Sequence, residues 1–189
     1  MSPTLVEAIV ALDEALDAAA LPHAFGGALA LAWCTGEPRA TRDIDCNVFI
    51  PPDEAGRLLA ALPPGISHDA TTRARLGRDG QDRLWWGRIP VDLFLSTTPY
   101  HDAVRHTVVR HPFAGRDVPF LGCQALATFK ACFDRPKDWL DLDEMLQSRR
   151  IDPAVLHDDL VGLLSPDDPR LGRLADLVGK TRETDDPTT

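Results

Sequence analysis

The sequence predicts an α/β (α+β) fold that ends in a small C-terminal helical part. Two observations support this class: a strand, glycine turn and helix follow one another at residues 23–34, and short apolar strands give way to helical spacing at Cys123. With 189 residues, 44% hydrophobic and 26% charged, the composition is that of an ordinary globular protein. We expect a core at residues 1–121, a helical part packed on it at 122–180 and a disordered tail at 181–189.

The first elements are a helix and a strand-turn-helix unit. Apolar residues recur every three or four positions over residues 4–20, which predicts an amphipathic helix. The segment 23–25 is a short strand that enters Gly26-Gly27, and the Ala- and Leu-rich segment 28–34 favours a helix.

A buried strand is predicted next, at Ile44–Ile50, because most of its residues are apolar and Pro51-Pro52 stops it. Asp53 then caps a helix that runs through Leu62. An Asp-Gly pair favours a tight turn, so Asp79-Gly80 predicts a hairpin between 73–78 and 82–95.

A second hairpin is predicted across Ala114-Gly115, between edge strands at 104–111 and 117–121. Helical spacing dominates after Cys123. The predicted helices there cover 123–134, 137–148, 153–164 and 167–178.

Charge and cysteine content exclude several classes of protein. The net charge is −9, no apolar run approaches the ~20 residues of a membrane span, and the first twenty residues carry four acids and no Lys or Arg. We therefore expect a cytoplasmic protein without a membrane partner, and no broad basic patch indicates a nucleic-acid surface. The cysteines lack C-x-x-C spacing and lie in apolar surroundings, which favours buried free thiols over zinc or disulfides; they are Cys34, Cys46, Cys123 and Cys132.

Three aspartates are candidate metal ligands. Asp43 and Asp45 project to the same side of a strand, with Cα atoms ~7 Å apart at ~3.3 Å per residue. Asp92 lies in another apolar strand and completes the cluster if the two strands are neighbours. Carboxylates suit Mg²⁺, and a pair of Mg²⁺ ions is typical of in-line nucleotidyl transfer. The alternative for Asp43 and Asp45 is a solvated strand end with a helix-capping role, and the alternative for Asp92 is a lone acid on an edge strand.

Gly26-Gly27 is a candidate phosphate site. Glycines at the start of a helix let backbone N–H groups approach phosphate oxygens beside the positive helix end. A simple tight turn is the alternative interpretation.

These residues resemble a known superfamily. The segments Gly26–Leu29, Gly36–Asp45 and Val91–Leu93 are similar to the DNA polymerase beta type nucleotidyltransferases, and most closely to small bacterial abortive-infection toxins. The resemblance covers roughly residues 24–146. It implies a nucleotidyltransferase fold, with a mixed β-sheet flanked by helices, that binds Mg-NTP.

The resemblance also implies roles. Asp43, Asp45 and Asp92 would be catalytic and would bind metal, with Asp92 as general base, and Gly26-Gly27 would hold the triphosphate. Further nucleotide-binding candidates are Arg39, Arg42, Lys130, Lys137 and Asp138. Gly27 replaces a serine found in many superfamily members, so its phosphate contacts would come from the backbone.

The expected function is Mg²⁺-dependent transfer of a nucleoside monophosphate from an NTP such as ATP to an acceptor hydroxyl. The acceptor is RNA or protein if the chain is the toxin of a toxin-antitoxin pair with a cognate antitoxin. Two alternatives stay open: a small-molecule, antibiotic-type acceptor, and an inactive protein that binds nucleotide or a partner.

Overall fold

A computed structural model of the protein describes residues 3–185. It is a mixed α/β structure whose seven strands form one sheet in the order β3-β4-β5-β2-β1-β7-β6. The strands are β1 His23–Phe25, β2 Ile44–Val48, β3 Ile66–Ser67, β4 Gln81–Trp86, β5 Ile89–Leu95, β6 Val109–Phe113 and β7 Arg116–Phe120. The helices are α1 Leu5–Ala18, α2 Gly27–Thr35, α3 Ala55–Ala61, α4 Ala70–Asp79, α5 Pro99–Val104, α6 Cys123–Phe133, α7 Pro136–Gln147, α8 Pro153–Leu163 and α9 Pro169–Asp185.

The chain divides into two compact units. One comprises the residues up to Leu29 together with Arg39–Leu121, and it contains the whole sheet. The other comprises Ala30–Pro38 and the chain from Gly122 onward, where α6 contacts α7 and α8, and α9 contacts α7 and α8. None of the described helices has the length and apolar character that crossing a bilayer requires.

The sheet unit begins as the sequence predicts. Thr4 and Glu7 form a capping box that starts α1, and its apolar face at Ile9, Leu12 and Leu16 is fully buried. The strand β1 and the helix α2 also lie where the sequence predicts them, at the strand 23–25 and at the Ala- and Leu-rich segment 28–34.

The predicted hairpin at Asp79-Gly80 is wrong. Residues 70–79 form α4, because Asp69 and Thr72 make a capping box and Gly80, at φ 67°, supplies the left-handed residue that ends the helix. The tight turn lies instead between β4 and β5, where Gly87 has φ 61°. The Asp-Gly pair is therefore a helix C-cap and not a hairpin turn.

Two shorter segments also differ from the prediction. Asp53 lies in a 3-10 turn, Pro52–Glu54, and makes no side-chain cap to α3. The second hairpin does turn at Ala114-Gly115, but residues 104–107 are helical, and of the hairpin's two strands β6 lies at an edge of the sheet while β7 pairs with β1 as well. Helix α9 extends to Asp185, and the remaining residues of the predicted tail, 186–189, lie outside the described part.

The prediction of four free thiols is wrong for two of them. Cys34 and Cys123 form a disulfide across 89 residues of sequence, with Cα atoms 5.4 Å apart, while Cys46 and Cys132 are free. Sequence spacing carries no information on a pair this distant, because only folding brings α2 and the start of α6 together. Burial raises the pKa of the Cys46 thiol, which keeps it protonated.

Candidate active site

Three aspartates lie together on one face of the sheet. Strands β2 and β5 are parallel neighbours in which Asp45 is directly beside Asp92. Asp43 precedes Asp45 by two residues and so points to the same side. The two strands are therefore adjacent, as the sequence analysis required for a shared site.

The glycine turn touches this group. The Gly26 N–H donates to the Asp45 carbonyl oxygen at 2.9 Å, and Gly27 opens α2 with φ 55°. A Cβ on Gly27 would lie 1.9 Å from Asp45 Oδ2, a distance that no side chain tolerates. Glycine at this position lets a carboxylate lie against the first turn of a helix, where backbone N–H groups lack helical partners.

Arg83 on β4 is the site residue that sequence analysis missed. It lies opposite Asp92 in the antiparallel β4–β5 pair, and its Nε and Nη2 each donate to one Asp92 oxygen at 2.6 Å. Its Nη2 also lies 4.0 Å from Asp43 Oδ2. The pKa of Arg83 is raised, first by the hydrogen bonds to Asp92 and further by the negative charges of Asp92, Asp43 and Asp45.

A signal for Arg83 was present in the sequence. A turn at Gly87-Arg88 gives the register that pairs residue 83 with residue 92, whereas the turn assumed at Asp79-Gly80 does not. Because the turn was assigned to the wrong residues, the pairing of Arg83 with Asp92 was not predicted.

The loop before β2 positions Asp43. The Thr41 hydroxyl donates to Asp43 Oδ1 at 2.6 Å, and this bond orients the carboxylate. Arg39 and Arg42, the predicted phosphate-steering residues, are exposed in the same loop.

The remaining predicted residues lie in the helical unit. The Lys130 ammonium on α6 is buried and contacts Asp141 Oδ2 at 2.6 Å and Asp138 Oδ1 at 3.5 Å. Asp138 is fully buried and accepts from Arg135 at 2.6 Å as well. Lys137 is exposed. Lys130 and Asp138 thus belong to one buried ion-pair group, as expected for charges that can be buried only when paired.

A second acidic group lies elsewhere in the sheet unit. Among residues 3–185, one group of three His, Cys, Asp or Glu side chains has all its potential metal-ligand atoms within 4.8 Å of one another. It consists of Asp13, Asp17 and His23. Both oxygens of the buried Asp13 already face partners: Oδ1 is 3.1 Å from His23 Nε2 and Oδ2 is 2.9 Å from Arg116 Nη2. His23 is a buried core histidine, and the contacts of Asp13 link α1 to β1 and β7.

The sheet aspartates suit magnesium by their chemistry. They supply only carboxylate oxygens, which hard divalent cations prefer, and they stand beside a glycine turn that a Cβ would fill. They do not approach one another as closely as the Asp13 group does, and the Arg83 guanidinium stands between Asp92 and Asp43. Asp43, Asp45 and Asp92 could therefore hold a divalent cation.

Comparisons with known proteins agree with this fold. Residues 10–185 match the family described as nucleotidyl transferase AbiEii toxin, Type IV TA system. No curated protein matches the sequence significantly.

Similar folds occur among solved structures. An antigenic nucleotidyltransferase-like protein from Paracoccidioides brasiliensis has a TM-score of 0.57 at 15% identity, with 94% of this chain and 88% of that chain covered. The antibiotic-resistance factor ANT(2'')-Ia in solution has a TM-score of 0.52 at 16% identity, covering 97% and 94%. Its crystal structure with adenylyl-2''-tobramycin has a TM-score of 0.52 at 17% identity, covering 97% and 100%.

Proposed function

The chain belongs to the AbiEii family of nucleotidyltransferase toxins, and from that premise we propose that it transfers a nucleoside monophosphate from Mg-NTP, with ATP as one candidate, to an acceptor hydroxyl. The observation that carries the proposal is the in-register pair of Asp45 and Asp92, with Asp43 beside them and the Gly26-Gly27 turn against Asp45. This arrangement combines metal-binding oxygens with phosphate-binding N–H groups.

The proposed chemistry is an in-line displacement at the α-phosphorus. The acceptor oxygen forms a bond to that phosphorus, the bond to the β-phosphate oxygen breaks, and pyrophosphate leaves. Asp92 takes the acceptor proton. The Gly26-Gly27 turn holds the triphosphate through the Gly27 N–H at the start of α2, since the Gly26 N–H is bonded to the Asp45 carbonyl oxygen. Bound magnesium, in one or two ions, would supply charge neutralisation on the phosphates and the leaving group.

Residues outside the aspartate group complete the proposal. Arg39 and Arg42 steer phosphate or acceptor from their exposed loop. The family resemblance assigns Lys130, Lys137 and Asp138 to nucleotide binding. The exposed Lys137 tests this role without breaking the buried Lys130–Asp138 pair: Lys137→Met should weaken ATP binding and keep its helical structure. We place the protein in the cytoplasm, where NTPs are abundant. The Cys34–Cys123 disulfide counts against this location, because cytosolic disulfides are rare, so the redox state of these two cysteines in cells is the test.

The acceptor is proposed to be a hydroxyl of RNA or protein, with toxicity controlled by a cognate antitoxin. A small-molecule acceptor is the second candidate, favoured by the shared fold with ANT(2'')-Ia, which was solved with an adenylylated antibiotic. Expression should arrest growth in the first case and should raise antibiotic tolerance in the second.

Label transfer tests the activity. Each α-labelled NTP is incubated with the protein and Mg²⁺, and then with total RNA, lysate protein, aminoglycosides or lincosamides. Label should enter one acceptor class and should disappear with EDTA. Asp45→Ala should lower transfer at least about a hundredfold, since even residues behind a metal ligand contribute 10–100-fold.

The matched control is Asp82→Asn on the neighbouring strand β4. Asp82 pairs with Arg75 and, as the neighbour of Arg83, points to the opposite face of the sheet. It should keep full transfer. Transfer that survives in Asp45→Ala refutes the assigned site, and nucleotide binding without any labelled acceptor supports an inactive binding protein instead.

A further inference from the structure

The three aspartates on the sheet, Asp43, Asp45 and Asp92, already have a positively charged side chain beside them. The Arg83 guanidinium uses two N–H groups on the two oxygens of Asp92, and one of the same nitrogens faces Asp43 Oδ2 at 4.0 Å. Three aspartates and one arginine therefore share this part of the sheet.

The arrangement follows from strand register. Arg83 is opposite Asp92 across β4 and β5, and Asp92 is beside Asp45 across β5 and β2. Side chains at directly paired positions project from the same face of a sheet. Strand register therefore places the Arg83 guanidinium on the same face of the sheet as the carboxylates.

A metal ion and this guanidinium need the same oxygens. A bidentate arginine occupies both carboxylate oxygens in the carboxylate plane, and these are the atoms a divalent cation would coordinate. Asp92 is only 15% exposed, whereas the Arg83 side chain is 51% exposed and can swing into solvent without unfolding its strand.

We propose that Arg83 is an internal competitor for the divalent metal: it holds Asp92 while no metal is bound and must release that carboxylate when a metal binds. The inference rests on the proposed function, because it assigns Asp92 to the metal site. Arg83 thus lowers the affinity for metal in the absence of nucleotide. It acts on the reaction through Asp92 and is a positioning residue.

Metal binding tests the proposal without any need for turnover. The sharp electron paramagnetic resonance signal of free Mn²⁺ measures binding to the full-length protein with no nucleotide present. Arg83→Gln should bind Mn²⁺ about tenfold more tightly, since hydrogen bonds between charged groups are worth roughly that factor or more. Arg83→Lys keeps the charge but loses the two-pronged geometry, so its affinity should fall between the two.

The control is Arg75→Gln. Arg75 makes an equally two-pronged pair with Asp82 in the same sheet unit, through Nε at 2.9 Å and Nη2 at 2.7 Å. Its loss should leave Mn²⁺ affinity unchanged, which separates a specific effect from a general loss of surface positive charge.

Each outcome decides a different question. Equal or weaker Mn²⁺ binding by Arg83→Gln and Arg83→Lys, with measurable binding by the wild type, overturns the competitor role and leaves the metal site standing. Absence of Mn²⁺ binding in the wild type and in both variants overturns the metal site itself, and with it the proposed mechanism.

Discussion

Replacing Gly27 by alanine tests the contact between the glycine turn and Asp45. Gly27 has φ 55°, and its missing Cβ would lie 1.9 Å from Asp45 Oδ2. The left-handed backbone alone costs an alanine about 1–2 kcal/mol. Relief of the collision requires the Asp45 carboxylate to move by roughly 1 Å or more, and a misplacement of that size can lower a rate about a hundredfold.

Gly115→Ala provides the matched control. Gly115 also has a left-handed backbone, at φ 84°, but nothing lies within 4 Å of its absent Cβ. Both variants should lose about 1–2 kcal/mol of unfolding free energy in urea. Only Gly27→Ala should also lose nucleotidyl transfer and Mn²⁺ affinity. Equal activity in the two variants would show that the position of Asp45 against the turn is unimportant, and the reasoning from the glycine contact would fail.

Three further predictions concern the rest of the fold. Cys123→Ser should lower the unfolding free energy by about 4 kcal/mol in urea, because its disulfide closes 89 residues, and an unchanged midpoint would rule out that cross-link. Asp13→Ala should cost about 3 kcal/mol by calorimetry, because it leaves His23 and Arg116 without their buried partner; a loss under 1 kcal/mol would contradict this account. Hydrogen bonds from Arg170 lower the pKa of Asp168 from 3.8 to about 2, so its stabilising effect is complete above pH 3.8 and lost as the pH falls through 2. An NMR titration should show that midpoint, and Arg170→Gln should return it towards the ordinary value.

Sequence patterns predicted those elements whose signals are local. The spacing of Leu12 and Leu16, the start of β2 at Ile44 and the helices from Cys123 onward depend on residues within a few positions of one another, whereas β2 ends at Val48, two residues before the predicted Ile50. The Asp79-Gly80 pair is ambiguous, because the same two residues can form a hairpin turn or end a helix. The capping box of Asp69 and Thr72 starts a helix before it, so here the pair ends that helix.

For the candidate site, sequence could name the acids but not their surroundings. The alternation of a strand fixes that Asp43 and Asp45 share a side, and an apolar context marks Asp92. The closeness of Gly27 to Asp45 and the hydrogen bond from Thr41 to Asp43 add detail that spacing alone does not contain.

The amino-acid sequence alone predicted the fold class, the strand-turn-helix unit and three candidate carboxylates, because periodicity and turn chemistry act over short stretches of chain. Three contacts emerge only when the chain is packed: Asp45 lies beside Asp92, Arg83 pairs with Asp92, and Cys34 bonds to Cys123. Those contacts depend on strand order and register, which are set by packing the whole sheet and not by any local pattern.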